Sequence, residues 1–195
     1  MPAFIFDLNG IFIQSPLLSE RFAAEFNVPT SEFLPALKEV LYYSRRSKTG
    51  GSFKLWQPYL KKWGVDLNEK QFFDFWFKAE TANQEMIDLA KELKTQGTKV
   101  FILSNNFFER AQYYRQTFPE LEKIFDKIYY SWETGFVKPD KRAYKHLLTE
   151  NNLSAQDCFY FDNSQENVDA AKELGMKAYL FESTQETKKI IESNI

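Results

Sequence analysis

The feature that most constrains this chain is a series of short apolar runs, each ending in polar residues and separated from the next by a helical pattern. "AFIFDL" comes first. "TKVFILSNN" follows, with Val100 to Leu103 at its centre, and then "KIYYSW", "CFYFDN" and "KAYLFE". All are brief and rich in branched or aromatic residues, as strands are. Between them Glu85 to Gln96, Glu109 to Thr117, Arg142 to Asn151 and Glu166 to Leu174 carry helical spacing. Gly97 and Gly175 stand where helix C-caps belong. The alternation predicts an α/β fold, a doubly wound parallel sheet with helices on both faces.

One region breaks the rhythm. From Ser15 to Glu85 the patterns are all helical: "SERFAAEFN", "SEFLPALKEVLYYSRR", "FKLWQPYLKKWG" and "NEKQFFDFWFKAE". This predicts a small all-helical cap domain over residues 15–85, inserted into an α/β core of residues 1–14 and 86–195. The aromatic run Phe72, Phe73, Phe75, Trp76 and Phe77 is expected to pack between the cap and the core rather than stack on a ligand.

Charge narrows the function. Lys plus Arg number 25 and Asp plus Glu 27, so 25 − 27 gives a net charge of −2. That balance gives no support for nucleic-acid or anionic-membrane partners. The single cysteine, Cys158, excludes an intramolecular disulfide framework and suits a reducing compartment. No apolar run reaches the ~18 residues of a membrane span, and "MPAFIFDLNG" lacks a basic leader region. A cytoplasmic protein, monomeric or homodimeric, is expected.

Ligands of such sheets bind beyond the carboxyl ends of the strands. Those ends carry Asp7-Leu8-Asn9-Gly10, Ser104-Asn105-Asn106 and Asp162-Asn163-Ser164, and "GFVKPD" places Lys138 on a loop fixed by Pro139. Two carboxylates, a hydroxyl, amides and a lysine on one rim suit a divalent metal and a phosphate. Mg²⁺ takes hard oxygens from one or two carboxylates, waters and substrate phosphate, while lysine supplies a point charge to phosphate oxygens.

In these stretches the chain resembles the haloacid dehalogenase-like hydrolase superfamily. "FDLNG", "ILSNN", Lys138 in "GFVKPD" and "FDNSQENVDAA" are similar to its four motifs, in its order, and the helical insertion resembles its C1-type cap. The resemblance implies a Mg²⁺-dependent phosphatase of a small phosphorylated metabolite. Asp7 would attack phosphorus and carry an aspartyl-phosphate. Mg²⁺ would sit between Asp7, Asp162 and the carbonyl of Asn9, with Asn163 close by. Ser104 and Asn105 would hold the phosphoryl oxygens at a helix N-terminus, and Lys138 would offset their charge.

Two departures matter. Asn9 stands where the family's general acid/base carboxylate is usual, and Asn163 where an acid often helps position the metal. Asn9 exchanges no proton, so turnover is expected to be slowed, by ~10²–10⁴-fold where acid/base catalysis is lost. Two alternatives follow: a phosphate-binding or regulatory protein, and a metal-independent hydrolase acting at carbon. The dehalogenase branch shows a tyrosine at the position of Asn9, which this chain lacks. His146 reads as a surface or partly packed residue and Cys158 as core. Arg45, Arg46 and Lys48 beside Gly50-Gly51 read as a solvated loop, with the alternative that one of them reaches the substrate.

Overall fold

Each of the five apolar runs forms a strand. The structure, a computed structural model, describes residues 2–194. Strand β1 (Ala3–Phe6) is followed by β2 (Ile13–Gln14) and by helices α1 (Leu18–Phe26), α2 (Thr30–Ser44), α3 (Phe53–Trp63) and α4 (Glu69–Phe77). The chain continues through β3 (Thr81–Ala82), α5 (Gln84–Thr95), β4 (Lys99–Ser104), α6 (Phe108–Thr117), the short α7 (Leu121–Ile124), β5 (Lys127–Tyr130) and the short α8 (Ser131–Thr134). It ends with α9 (Lys141–Glu150), β6 (Cys158–Asp162), α10 (Gln165–Lys172), β7 (Lys177–Leu180) and α11 (Thr184–Glu192). Among the described residues no helix is long and apolar enough to cross a membrane.

The main sheet is parallel throughout, in the order β5-β4-β1-β6-β7. Its three inner strands, β4, β1 and β6, are buried on both faces, which explains why they read as continuous apolar runs. Side chains alternate by strand geometry. Phe4, Phe6, Ile102 and Phe161 face a core shared with α5 and α6, while Ile5, Leu103 and Tyr160 face one shared with α9 and α10. The chain winds outward from β1 in both directions, so β1 lies at the switch point, where the crevice for ligands opens.

Helices α1 to α4 form their own aromatic cluster around Phe22, Phe33, Trp56, Phe72 and Trp76. Phe107, leading into α6, enters this cluster with its ring tilted against Trp76 and Phe77. The aromatic run therefore packs, with Phe75 left half-buried under Arg21. The strandless reading of this segment misses one detail. Ile13 and Gln14 pair antiparallel with Ala82 and Thr81, making a two-stranded ribbon at the points where the chain leaves and rejoins the sheet. Strands of two residues carry no readable period.

Candidate active site

Register brings the carboxylates together. Phe6 pairs with Ile102 on one side and Phe161 on the other, so Asp7 and Asp162 each follow a paired residue on adjacent strands. The Asp7 N–H donates to the Phe161 carbonyl at 2.9 Å. Lys138 reaches between the two acids, its Nζ 2.8 Å from Asp7 Oδ1 and 2.7 Å from Asp162 Oδ2. All three groups are buried, and Asp162 is fully so. The Asn105 side chain fixes the lysine's loop, donating to the Lys138 carbonyl and accepting from its N–H, both at 2.8 Å. The Lys138–Pro139 peptide is cis.

These contacts set the charge states. Burial pushes the Asp7 carboxyl above its ordinary value, Lys138 opposes the shift and Asp162 adds to it. Burial pushes Asp162 the same way, but Lys138 with hydrogen bonds from Tyr160 and Asn167 outweighs it and holds Asp162 low. Burial pulls the Lys138 ammonium down, and the two carboxylates more than restore it. Lys138 stays a cation and Asp162 an anion.

Asp162 is saturated. The Tyr160 hydroxyl donates to Oδ2, Asn167 Nδ2 lies 3.1 Å from both oxygens, and the Ser164 N–H donates to Oδ1 at 2.9 Å. The space expected to hold a metal directly between Asp7 and Asp162 is thus taken by Lys138. Asn163, the next residue along, points instead toward the Asp7–Gly10 turn, where its Nδ2 lies 3.2 Å from the Asn9 carbonyl oxygen. Gly10, at φ +88°, makes room for that contact: a Cβ there would come within 2.1 Å of Asn163 Nδ2. Turning this carboxamide over would present its oxygen beside the Asn9 carbonyl and Asp7. These are hard oxygen donors of the kind Mg²⁺ takes, with one carboxylate rather than two. The residues therefore fit a magnesium ion that also draws on a substrate phosphate.

Asn9 is held by its own side chain. Its Nδ2 donates to the Tyr114 hydroxyl at 2.6 Å, and its Oδ1 accepts from Asn106 Nδ2 at 3.3 Å. Ser104 lies at the end of β4 as expected, and its buried hydroxyl has no hydrogen-bond partner among the described residues. Asn105, not Ser104, lines the cavity of about 360 Å³ that opens over Asp7. Asn9, Lys138 and Asn163 line it too, together with Arg45 and Arg110. Arg110 forms a buried ion pair with Glu80, and both bond to Ser15 Oγ at 2.9 Å. His146 is half-exposed beside Glu150, and Cys158 is buried, its thiol pushed up to about 11 by burial.

Tyr114, Asn167 and Arg110 escaped the sequence reading, and Asn106 entered it only as one of the strand-end amides. Tyr160 alone carried a signal, since it lies two residues before Asp162 on the same strand face.

The profile of the family described as haloacid dehalogenase-like hydrolase matches residues 5–181. Sesquiterpene phosphatase astK of Aspergillus oryzae is 35% identical over 91 residues, covering 47% of this chain and 46% of that protein. Phosphatase MT3486 of Mycobacterium tuberculosis is 30% identical over 98 residues, covering 50% and 45%. The chain spans about half the length of these curated relatives. The crystal structure of the HAD family enzyme BT-2542 from Bacteroides thetaiotaomicron superposes with a TM-score of 0.83 at 20% identity, covering 98% of both chains. A complex of that enzyme with magnesium and inorganic phosphate gives 0.76. Sheet order, strand-end carboxylates and family profile concur: the chain belongs to the haloacid dehalogenase-like hydrolase family.

Proposed function

We propose that the protein hydrolyses a phosphate ester of a small molecule through a covalent phosphoryl group on Asp7, slowly, with Mg²⁺ as cofactor and the helical insertion as its cap. The observation that carries this reading is Asp7 at the switch point of the sheet, with Lys138 on one of its oxygens and an open cavity beside it. Two relatives named as phosphatases, and the magnesium and phosphate bound by BT-2542, support it.

Lys138 holds Oδ1 of Asp7, leaving Oδ2 to attack phosphorus. An O–P bond forms to Asp7 as the ester P–O bond breaks. Asn105 lines the phosphate's cavity, and the unpartnered Ser104 hydroxyl lies at the adjoining strand end. Mg²⁺, held by the Asp7 carboxylate, the Asn9 carbonyl and the Asn163 carboxamide, would supply charge neutralisation at the phosphoryl oxygens. The departing alkoxide takes its proton from water, because Asn9 has none to give. Water then cleaves the acyl phosphate, releasing inorganic phosphate and restoring Asp7. The missing proton shuttle places both steps ~10²–10⁴-fold below a site with a carboxylate at residue 9.

The test is a panel of aryl and alkyl phosphates assayed with Mg²⁺ and with chelator. Turnover that needs Mg²⁺ and disappears in Asp7→Asn is the expected result, with aryl esters faster than alkyl ones because they leave without protonation. Activity that survives Asp7→Asn would refute the covalent route.

A further inference from the structure

The cavity over Asp7 has a neighbour. A second cavity of about 240 Å³ shares Arg45, Asn105 and Lys138 with it and is otherwise lined by Lys38, Leu41, Tyr42, Arg46 and Val137. Its lining holds four cations, Lys38, Arg45, Arg46 and Lys138, and no acid. Lys138 is already neutralised by Asp7 and Asp162. Arg46 is turned back on its own helix, donating to the Tyr42 carbonyl at 2.7 Å with its guanidinium 4.1 Å from the Tyr42 ring.

Arg45 differs from all of them. It caps the end of α2, forms no ion pair and no side-chain hydrogen bond among the described residues, and its Nε is buried without a partner. Burial lowers its guanidinium to about 10, with Arg110 adding to the shift and Asp7 opposing it. Arg45 as a whole is half-buried and its Nε fully so, and a cation withdrawn this far from water without a partner is costly unless an anion joins it. Its position is also fixed. The loop that follows is fastened to the core by Glu109, whose carboxylate accepts from the N–H of Gly51 and Ser52 and from the Ser52 hydroxyl at 2.6–2.8 Å. Gly50 lies so close to Phe108 that a Cβ would come within 2.6 Å of the ring.

We propose that Arg45, with Lys38 beside it, forms a subsite for a second anionic group, so that the substrate is a small phosphate ester carrying a carboxylate or a second phosphate. This rests on the reading that the phosphoryl group enters the cavity over Asp7. The second anion then lies across the shared wall, against the one guanidinium there that has no partner.

Non-hydrolysable phosphonates test it by calorimetry on the intact protein with Mg²⁺. Methylphosphonate carries one anionic group. The ω-carboxyalkylphosphonates and alkylene bisphosphonates of two to four methylenes carry two, and the two series distinguish a carboxylate from a phosphate. At least one dianionic ligand should bind about tenfold tighter than methylphosphonate, the order expected of hydrogen bonds to a charged group. Arg45→Met should remove most of that advantage, and Lys38→Met a smaller part. The readout is the ratio of affinities within each variant, so a general loss of folded protein cancels, and thermal melting checks the fold. Methylphosphonate binding with no dianion advantage, or an advantage undiminished in Arg45→Met, overturns the subsite and leaves the hydrolase reading standing. Absence of binding by every phosphonate, together with inert phosphate esters, overturns both.

Discussion

Lys138 and Arg45 look into the same cavity from opposite parts of the molecule. The lysine, on the sheet's rim, is clasped by two carboxylates whose positions follow from strand register. The arginine, on the helical insertion, faces the same space with no partner among the described residues. The lysine is paired before any ligand arrives, and the arginine is paired only when one does. The difference separates chemistry, which needs fixed charges, from recognition, which needs charges still available.

The strongest way to break the contrast is to open the clasp. Lys138→Met leaves Asp7 and Asp162 buried without a counter-ion, and losing one partner of a buried pair costs about 3–5 kcal/mol. The pH dependence should also steepen, because Asp7, raised by burial even beside Lys138, already favours the fold as pH falls and loss of the lysine adds to this. In the native protein Asp162 is held low, so its stabilisation is present above the unfolded-state value of ~3.8 and is lost as pH falls through the lower folded value. Lys138 is raised, so its share is present below ~10.5 and is lost as pH rises through the higher folded value. Without Lys138, burial raises Asp7 further and pushes Asp162 up as well. The variant should therefore become more stable as pH falls from 7 toward 5. Denaturant midpoints across that range decide it, and a variant that only loses stability on acidification would show the clasp to be weak.

A second test gives the rim what it lacks. Asn9→Asp supplies a carboxylate that the Asn106 amide and the Tyr114 hydroxyl, already bonded to residue 9, are placed to receive. Alkyl phosphatase turnover should rise ~10²-fold or more, with a smaller gain for aryl esters. No gain across the panel would move the protein toward a binding role. The smallest effect is expected at the metal. Asn163→Asp adds a carboxylate beside the Asn9 carbonyl and should tighten Mg²⁺ binding about tenfold, close to 1.4 kcal/mol. Calorimetry with Mg²⁺ alone measures this independently of turnover, and an unchanged affinity would put the ion elsewhere.

The rim was legible in the sequence and the insertion's part was not. Asp7, Ser104 and Asp162 end apolar runs, and a parallel sheet gathers such ends on one edge. The division of labour between Asp162 and Asn163 was hidden because neighbours at a strand end turn opposite ways. Asp162 faces inward to Lys138, and Asn163 faces the Asp7–Gly10 turn. Arg45 could not be told from Arg46 or Lys48, since its role depends on where α2 stops relative to a cavity in another part of the fold. The Arg110–Glu80–Ser15 contacts join residues far apart in the chain, and composition carries no trace of them.

The small β2–β3 ribbon bears on how such proteins diversify. Ile13 and Ala82 pair directly, so the whole insertion is a loop whose two ends already lie side by side. The entropy of closing a flexible loop grows only with the logarithm of its length, about 0.6 kcal/mol per doubling. Lengthening, trimming or exchanging the segment between those ends therefore costs the sheet little. The segment can drift while Asp7, Lys138 and the strand pairing beneath them stay as they are.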